Sequence, residues 1–330
     1  MKPISSSVRT LLLAVALLAG TSSFAQTPWP SKPVRLVVPA PAGSSLDIVA
    51  RLLFDKLKDT WGQAVLVDNK PGAGGMLGTD IAAKATDNHT LVLSFNGPIA
   101  FAPSLYKKMP YDPAKDLQAV VMTTSQPNVL AVNAALPVKT VKELIIYAKA
   151  NPGKMNYGSI GNGSSSHLTM ELFQSAAGFK ALHVPFNGSP PAALSLANGD
   201  TQALFAVASG IAPMVKTGKV KMLAVSSAKR FEQLPELPTI AESAGKDNTL
   251  KGFEAMAWNG IFVAASTPAD IVGKINRDVN AALNTTDIKA RLYVQGMQVT
   301  QSTPESFAKM IAADAKTWGA LIQQIGVKLD

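Results

Sequence analysis

The 330-residue chain carries 31 Lys+Arg against 22 Asp+Glu, a formal +9, with 47% hydrophobic and 6% aromatic residues and no cysteine. Length and apolar content suffice for about two domains of roughly 150 residues with cores of their own, which excludes wholesale disorder. The missing cysteines exclude disulfide scaffolds, thiol nucleophiles and Cys-ligated metals; the three histidines, His89, His167 and His183, lack any HExxH-type spacing, so no metal site is expected.

Residues 1–25 read as a cleavable export signal. Basic Lys2 and Arg9 precede the apolar run Leu11 to Leu18, and Ser23-Phe24-Ala25 places small residues where a signal peptidase cuts, near Ala25. The run is shorter than the roughly 20 apolar residues of a membrane span. Cleavage removes two bases and no acid, leaving +7. These charges are scattered in short groups such as Lys107-Lys108 and Lys216, Lys219 and Lys221, without interleaved aromatics. No nucleic-acid partner is therefore expected, only a mild bias toward anions.

In chain order, Val34 to Val38 predicts a strand, and Leu46, Val49, Leu53 and Leu57 repeat at helical spacing through Trp61. Ala64 to Val67 (strand), the Gly-rich turn Asn69 to Gly75, Met76 to Ala85 (helix) and Thr90 to Phe95 (strand) repeat the layout. Ser125 to Val132 reads as one strand. Thr140-Val141-Lys142-Glu143 is a capping box for a helix to Ala150. Strand Met155 to Ser159, loop Ile160 to Ser166 and helix His167 to Ala177 follow the opening pattern again. Then come strands Ala181 to Val184, Ala203 to Val207 and Val220 to Val225, with helices Pro191 to Asn198 and Ala212 to Thr217. A Pro/Glu/Lys-rich connector spans Lys229 to Lys251. The tail reads as strand Trp258 to Val263, helix Pro268 to Asn284 capped by Thr267, and helix Pro304 to Ile325. Alternating strands and helices predict an α/β fold with parallel sheets, in two domains that each turn a loop toward a shared cleft.

Those loops are Ala40-Pro41-Ala42-Gly43-Ser44-Ser45 and Gly158-Ser159-Ile160-Gly161-Asn162-Gly163-Ser164-Ser165-Ser166. Each follows a strand and opens a helix, where unpaired N–H groups and the positive helix end attract anions. Asp47, in the first turn of its helix, is expected to brace the loop's own N–H groups, and His167 to sit at the second helix start facing solvent or the cleft. Phe95, Asn96 and Phe186 are candidate pocket walls. Gly72-Ala73-Gly74-Gly75 and Gly161-Asn162-Gly163 approach a dinucleotide fingerprint but lack its third glycine, and there is no GxxxxGK[ST], so no nucleotide or other cofactor is expected. No GxSxG elbow or SxxK helix start occurs, and no catalytic residue is assigned.

Trp29-Pro30-Ser31-Lys32-Pro33-Val34-Arg35-Leu36-Val37-Val38-Pro39 with Pro41-Ala42-Gly43 and Asp47-Ile48-Val49-Ala50-Arg51 resembles the mature N-terminus of Bug-type substrate-binding proteins of tripartite tricarboxylate transporters. Asn69-Lys70-Pro71-Gly72-Ala73-Gly74-Gly75, Asn156-Tyr157-Gly158-Ser159, Val184-Pro185-Phe186 and Gly218-Lys219-Val220 continue the resemblance in order.

The resemblance implies a periplasmic, type II periplasmic-binding-protein (Venus-flytrap) fold. Two α/β domains, 26–126 plus 229–330 and 127–228, would enclose a ligand cleft. It implies a monomeric, non-enzymatic receptor for a small organic carboxylate that docks transiently on membrane transporter subunits. A sensor subunit for a membrane kinase, or an exported enzyme acting on an acidic substrate, are the alternatives. Carried over, Ala40, Ala42, Gly43, Ser44 and Ser45 form one jaw and Ser159, Asn162, Gly163 and Ser164 the other, with Phe95, Asn96, Phe186 and Ala206 lining the ligand. Ser44 replaces the second of the family's paired glycines, and Ala206 stands where the family often has Asp. An ammonium group would find no counter-charge there, which favours a dicarboxylate or aromatic carboxylate.

Overall fold

The computed structural model describes residues 28–243 and 249–329. The export signal and its cleavage site lie outside the described residues.

Two sheets organise the chain. The first takes β1 (Val34–Val38), β2 (Val65–Asn69), β3 (Thr90–Phe95) and β4 (Leu117–Pro127) from the first third of the sequence, and β10 (Met256–Ala264) and β11 (Gln298–Val299) from the last, in the order β11-β4-β10-β3-β1-β2. The second runs β7-β6-β8-β5-β9, with β5 (Val129–Asn133), β6 (Asn156–Ser159), β7 (Leu182–Pro185), β8 (Ala203–Ala206) and β9 (Val220–Val225). Both repeat one plan: a parallel trio (β2-β1-β3 and β7-β6-β8) extended by antiparallel neighbours (β10 and β4; β5 and β9).

The sheets are thus mixed, not parallel as the alternation predicts. Each antiparallel partner arrives from the other half of its own unit by a long excursion, which local periodicity does not register. The segment Ser125 to Val132, read as one strand, is likewise two strands. β4 ends at Pro127 in one sheet and β5 begins at Val129 in the other.

The chain crosses between the sheets at Asn128 and again in the return from β9 to β10. Ser226 ties the two crossings together. Asn128 N–H donates to Ser226 Oγ at 2.9 Å, Ser226 N–H to the Asn128 carbonyl at 2.8 Å, and Ala255 N–H to the Ser226 carbonyl at 2.8 Å.

Helices α1 (Ser45–Trp61) and α2 (Met76–Ala83) follow β1 and β2, α3 (Ala102–Leu105) lies between β3 and β4, and α4 (Val141–Ala150) links β5 to β6 in the second unit. There α5 (Ser165–Ala177), α6 (Ser189–Asn198) and α7 (Ala208–Lys216) follow β6, β7 and β8. Finally α8 (Ala269–Leu283), α9 (Thr286–Tyr293) and α10 (Pro304–Ile325) cover the first sheet.

Strand alternation sends Val34, Leu36 and Val38 into one core with Leu53, Leu57, Ile275 and Val279, and Val37 into the core on the other face with Phe262, Phe307 and Trp318. Both faces are covered, which is why β1 reads as a nearly continuous apolar run.

The caps depart from the sequence in detail. Thr140 Oγ1 accepts the Glu143 N–H at 3.1 Å, but Glu143 Oε2 reaches back to the Lys139 N–H, one residue beyond the box. Pro268, not Thr267, occupies the N-cap of α8 and no side chain caps that end. Thr303 and Ser306 close a capping box at α10. Helix α7 begins four residues earlier than its apolar spacing predicts, and α9 has no clear sequence signal.

Candidate functional site

The loop after β1 and the loop after β6 have one geometry. Gly43 (φ 76°) precedes Ser44, and Gly163 (φ 71°) precedes Ser164. Both serines are N-caps with nearly identical backbones (φ −72°, ψ 162° and φ −73°, ψ 162°), and their hydroxyls accept the N–H of Asp47 and of His167. Ser44 N–H donates to the Pro41 carbonyl and Ser164 N–H to the Gly161 carbonyl, each at 3.2 Å.

The glycine amide is then held by the residue four positions on. Gly43 N–H donates to Asp47 Oδ2 at 2.9 Å, and Gly163 N–H to His167 Nδ1 at 3.2 Å. Asp47 and His167 therefore do the same job with different chemistry. The signal is present in the sequence, in Gly43-Ser44-Ser45-Leu46-Asp47 and Gly163-Ser164-Ser165-Ser166-His167, once the two segments are laid over each other.

Asp47 is almost fully buried. Burial pushes its carboxyl up, but hydrogen bonds from Arg51 Nε, the Gly43 amide and Asn69 Nδ2 outweigh this and hold it below the ordinary carboxylate range.

His167 does not face solvent. It is 4% exposed and stacks on His183 with centroids 4.0 Å apart, and Tyr157 stacks on His183 at 4.8 Å and lies 6.4 Å from His167. Burial, and then the neighbouring His183, push the His167 pKa down to about 3; burial pushes His183 down to about 4. A neutral His167 is what the hydrogen bond requires, since only an unprotonated Nδ1 accepts the Gly163 N–H.

A narrow cavity of about 60 Å³ lies between the two sheets. One water needs about 10–15 Å³ on this measure, so the space suits a handful of heavy atoms. Five helix starts border it. Ser45 and Leu46 open α1, Gly75 caps α2, Ser165 opens α5, Ser189 opens α6, and Val207 caps α7. With the Ser44 and Asp47 amides already paired, the α1 N–H groups left over are those of Ser45 and Leu46. Among the described residues lining the cavity there is no Lys, Arg, His, Asp or Glu. Positive potential in it therefore comes from backbone dipoles.

Of the residues singled out in the sequence, Ala40, Ser44, Ser45, Phe95, Asn96 and Ala206 line the cavity. Ala42 and Gly43 lie on the exposed side of the first loop, and Asn162 on that of the second. Ser159 is buried with its hydroxyl 2.7 Å from His183 Nε2, Ser164 is spent on its cap and on the Gly161 carbonyl, and Gly163 packs near Leu105. Phe186 is partly buried and packs against the core of the second unit.

Ser165, Ser189, Gln126, Asn128, Trp258 and Asn259 also line the cavity and were not anticipated. Ser165 is legible as the counterpart of Ser45. Ser189 opens α6, while Gln126 and Asn128 lie where β4 ends and Trp258 and Asn259 lie within β10, strands whose pairing the sequence does not reveal.

The jaws are in contact. A methyl group built on Gly74 would overlap the carbonyl oxygen of Asn162, and one on Gly188 would overlap the Pro41 ring. Glycine at these two positions lets the backbone of one unit approach a carbonyl or a proline ring of the other across the cavity mouth.

A family model described as "Tripartite tricarboxylate transporter family receptor" matches residues 49–327. Among solved structures, the R. palustris protein Rpa4515 with adipate is 32% identical with TM-score 0.87, over 91% of this chain and 99% of that one. The periplasmic binding protein BugD is 32% identical with TM-score 0.85, over 91% and 99%. MatC from Rhodopseudomonas palustris with bound malate is 30% identical with TM-score 0.83, over 89% and 100%. The paired α/β units, the cavity between them and this match along the chain have one reading: the protein belongs to the tripartite tricarboxylate transporter receptor family, as a Bug-type periplasmic binding protein.

Proposed function

We propose that the protein captures a small carboxylate between its two domains in the periplasm and delivers it to a tripartite tricarboxylate-type membrane transporter. The observation that carries this reading is the convergence of helix starts from both units on one small cavity without charged side chains. Such a site favours an anion through fixed N–H groups that need no reorganisation. The cavity size suits an acid of a few carbons, and relatives with adipate and with malate support that class.

In this reading Ala40, Ala42, Gly43, Ser44 and Ser45 make one jaw, and Ser159, Asn162, Gly163 and Ser164 shape the other, with Asp47 and His167 as loop supports. Phe95, Asn96 and Ala206 bound the ligand, which is a dicarboxylate or aromatic carboxylate, and Phe186 packs away from the cavity. The domains run 26–126 plus 229–330 and 127–228, joined by the two crossings at Asn128 and Ser226. The mature protein, cut near Ala25, acts as a monomer without catalysis. Binding a ligand at a hundredfold excess over its Kd should raise stability by about 2.7 kcal/mol. A thermal-shift panel of mono- and dicarboxylates tests this: saturable stabilisation by one class supports it, and no shift with any acid on folded protein refutes it.

A further inference from the structure

The loop that opens α5 is tied at both ends to one pair of rings. At its start, Ser159 Oγ accepts the Gly161 N–H at 3.2 Å, lies 3.2 Å from the Gly161 carbonyl and 2.7 Å from His183 Nε2. A hydroxyl has one proton and two acceptor positions, so all three contacts are met together when His183 Nε2 donates and the hydroxyl proton goes to the carbonyl. At the other end Gly163 N–H donates to His167 Nδ1. The two imidazoles lie 4.0 Å apart with planes 6° from parallel.

Strand register brings these groups together. In the parallel pair β6 and β7, His183 lies beside Tyr157, and Ser159, two residues further along β6, shares their face of the sheet. Tyr157 stacks on His183, and its hydroxyl donates to Glu171 Oε1 on α5, the helix that carries His167.

Between the tied ends the loop meets the cavity. Ile160, flanked by Ser159 and Gly161, lines it, and so does Ser165 beyond Gly163. Gly161 also stands against the first unit, since a methyl group built on it would lie 3.4 Å from Gly74 Cα. His183 is not among the lining residues, so its influence on a ligand passes through Ser159.

Resting on the carboxylate-capture reading above, we propose that His183 is a positioning residue for ligand binding. Through Ser159 it sets segment 159–161, and through its stack on His167 it couples that segment to the Gly163 end, so that the ligand meets a preformed jaw. A jaw fixed in advance spends no binding energy on being ordered, and loosening it shows as lost affinity.

The test compares wild type, Ser159→Ala, His183→Leu, their double variant and His183→Gln, as full mature proteins checked for folding by circular dichroism. Each is titrated calorimetrically with succinate, malate, adipate and benzoate. For an acid that the wild type binds, each of the first two variants should lose about tenfold in affinity, and the double variant should lose no more than about twofold beyond the weaker of them, because both cut the same tie. His183→Gln, whose amide nitrogen takes the place of Nε2, should bind within about threefold of wild type. Hydrogen exchange without ligand should show the Gly161 amide opening about tenfold faster in Ser159→Ala and His183→Leu and near the wild-type rate in His183→Gln. Ser159→Ala removes one hydroxyl only and carries the test if His183→Leu does not fold. Unchanged affinity in folded Ser159→Ala, additive losses in the double variant, or losses in His183→Gln equal to those in His183→Leu would each overturn the role of His183 and leave carboxylate capture intact. Wild-type protein that binds none of the four acids would overturn capture itself and this role with it.

Discussion

Asp47 and His167 hold equivalent glycine amides, so their loss should be felt in the loops before the cores. In Asp47→Ala the Gly43 N–H, Arg51 and Asn69 lose a shared acceptor. The expected outcome is a stability loss of about 1–3 kcal/mol by denaturant titration, with weaker ligand binding. The two histidines predict a pH dependence of definite sign. Their folded pKa values, about 3 and about 4, lie below the ordinary 6.5, so unfolding takes up protons between those limits. Stability from this pair is complete above about pH 6.5 and falls as the pH drops, by on the order of 1.4 kcal/mol per pH unit for each histidine. Replacing His167 with Asn should reduce that slope between pH 4.5 and 6.5; a slope equal to the wild type would contradict the buried neutral imidazole. The sequence placed both residues at helix starts but not their shared function, because a carboxylate and an imidazole look unrelated until the Gly-Ser-Ser segments are superposed.

At the scale of elements, what could be read locally was read well. Helices α1 and α10 follow from apolar spacing and a capping serine or threonine, and β1 and β3 from short apolar runs ended by Pro or Asn. Strand direction and neighbours were not legible, since β10 pairs with β3 and β4 across more than a hundred residues. For the same reason Gln126, Asn128 and Asn259, carried to the cavity by those pairings, gave no sign of their place. The crossing near residue 128 was hidden inside a segment that reads as one strand, Ser125 to Val132. Its tie through Ser226 makes a prediction: Ser226→Ala leaves the buried Asn128 N–H unpaired and should lower stability by about 1–3 kcal/mol, read from the denaturation midpoint at unchanged m-value. A change below a few tenths would mean that the tie is dispensable.

For the whole molecule, two similar units meet through glycine backbones at the mouth of a cavity that neither could form alone. Gly74→Ala sets a methyl group into the Asn162 carbonyl and should hold the jaws apart. Ligand affinity should fall at least tenfold while the fold loses only about 1–2 kcal/mol for the left-handed backbone. Small-angle scattering should then show no compaction with ligand. The most direct measurement for the account is calorimetric titration of the mature wild-type protein with a panel of small carboxylates. It predicts saturable one-to-one binding of a particular acid that also raises the melting temperature. Folded protein that neither releases nor absorbs heat and shows no thermal shift with any acid would contradict the central claim.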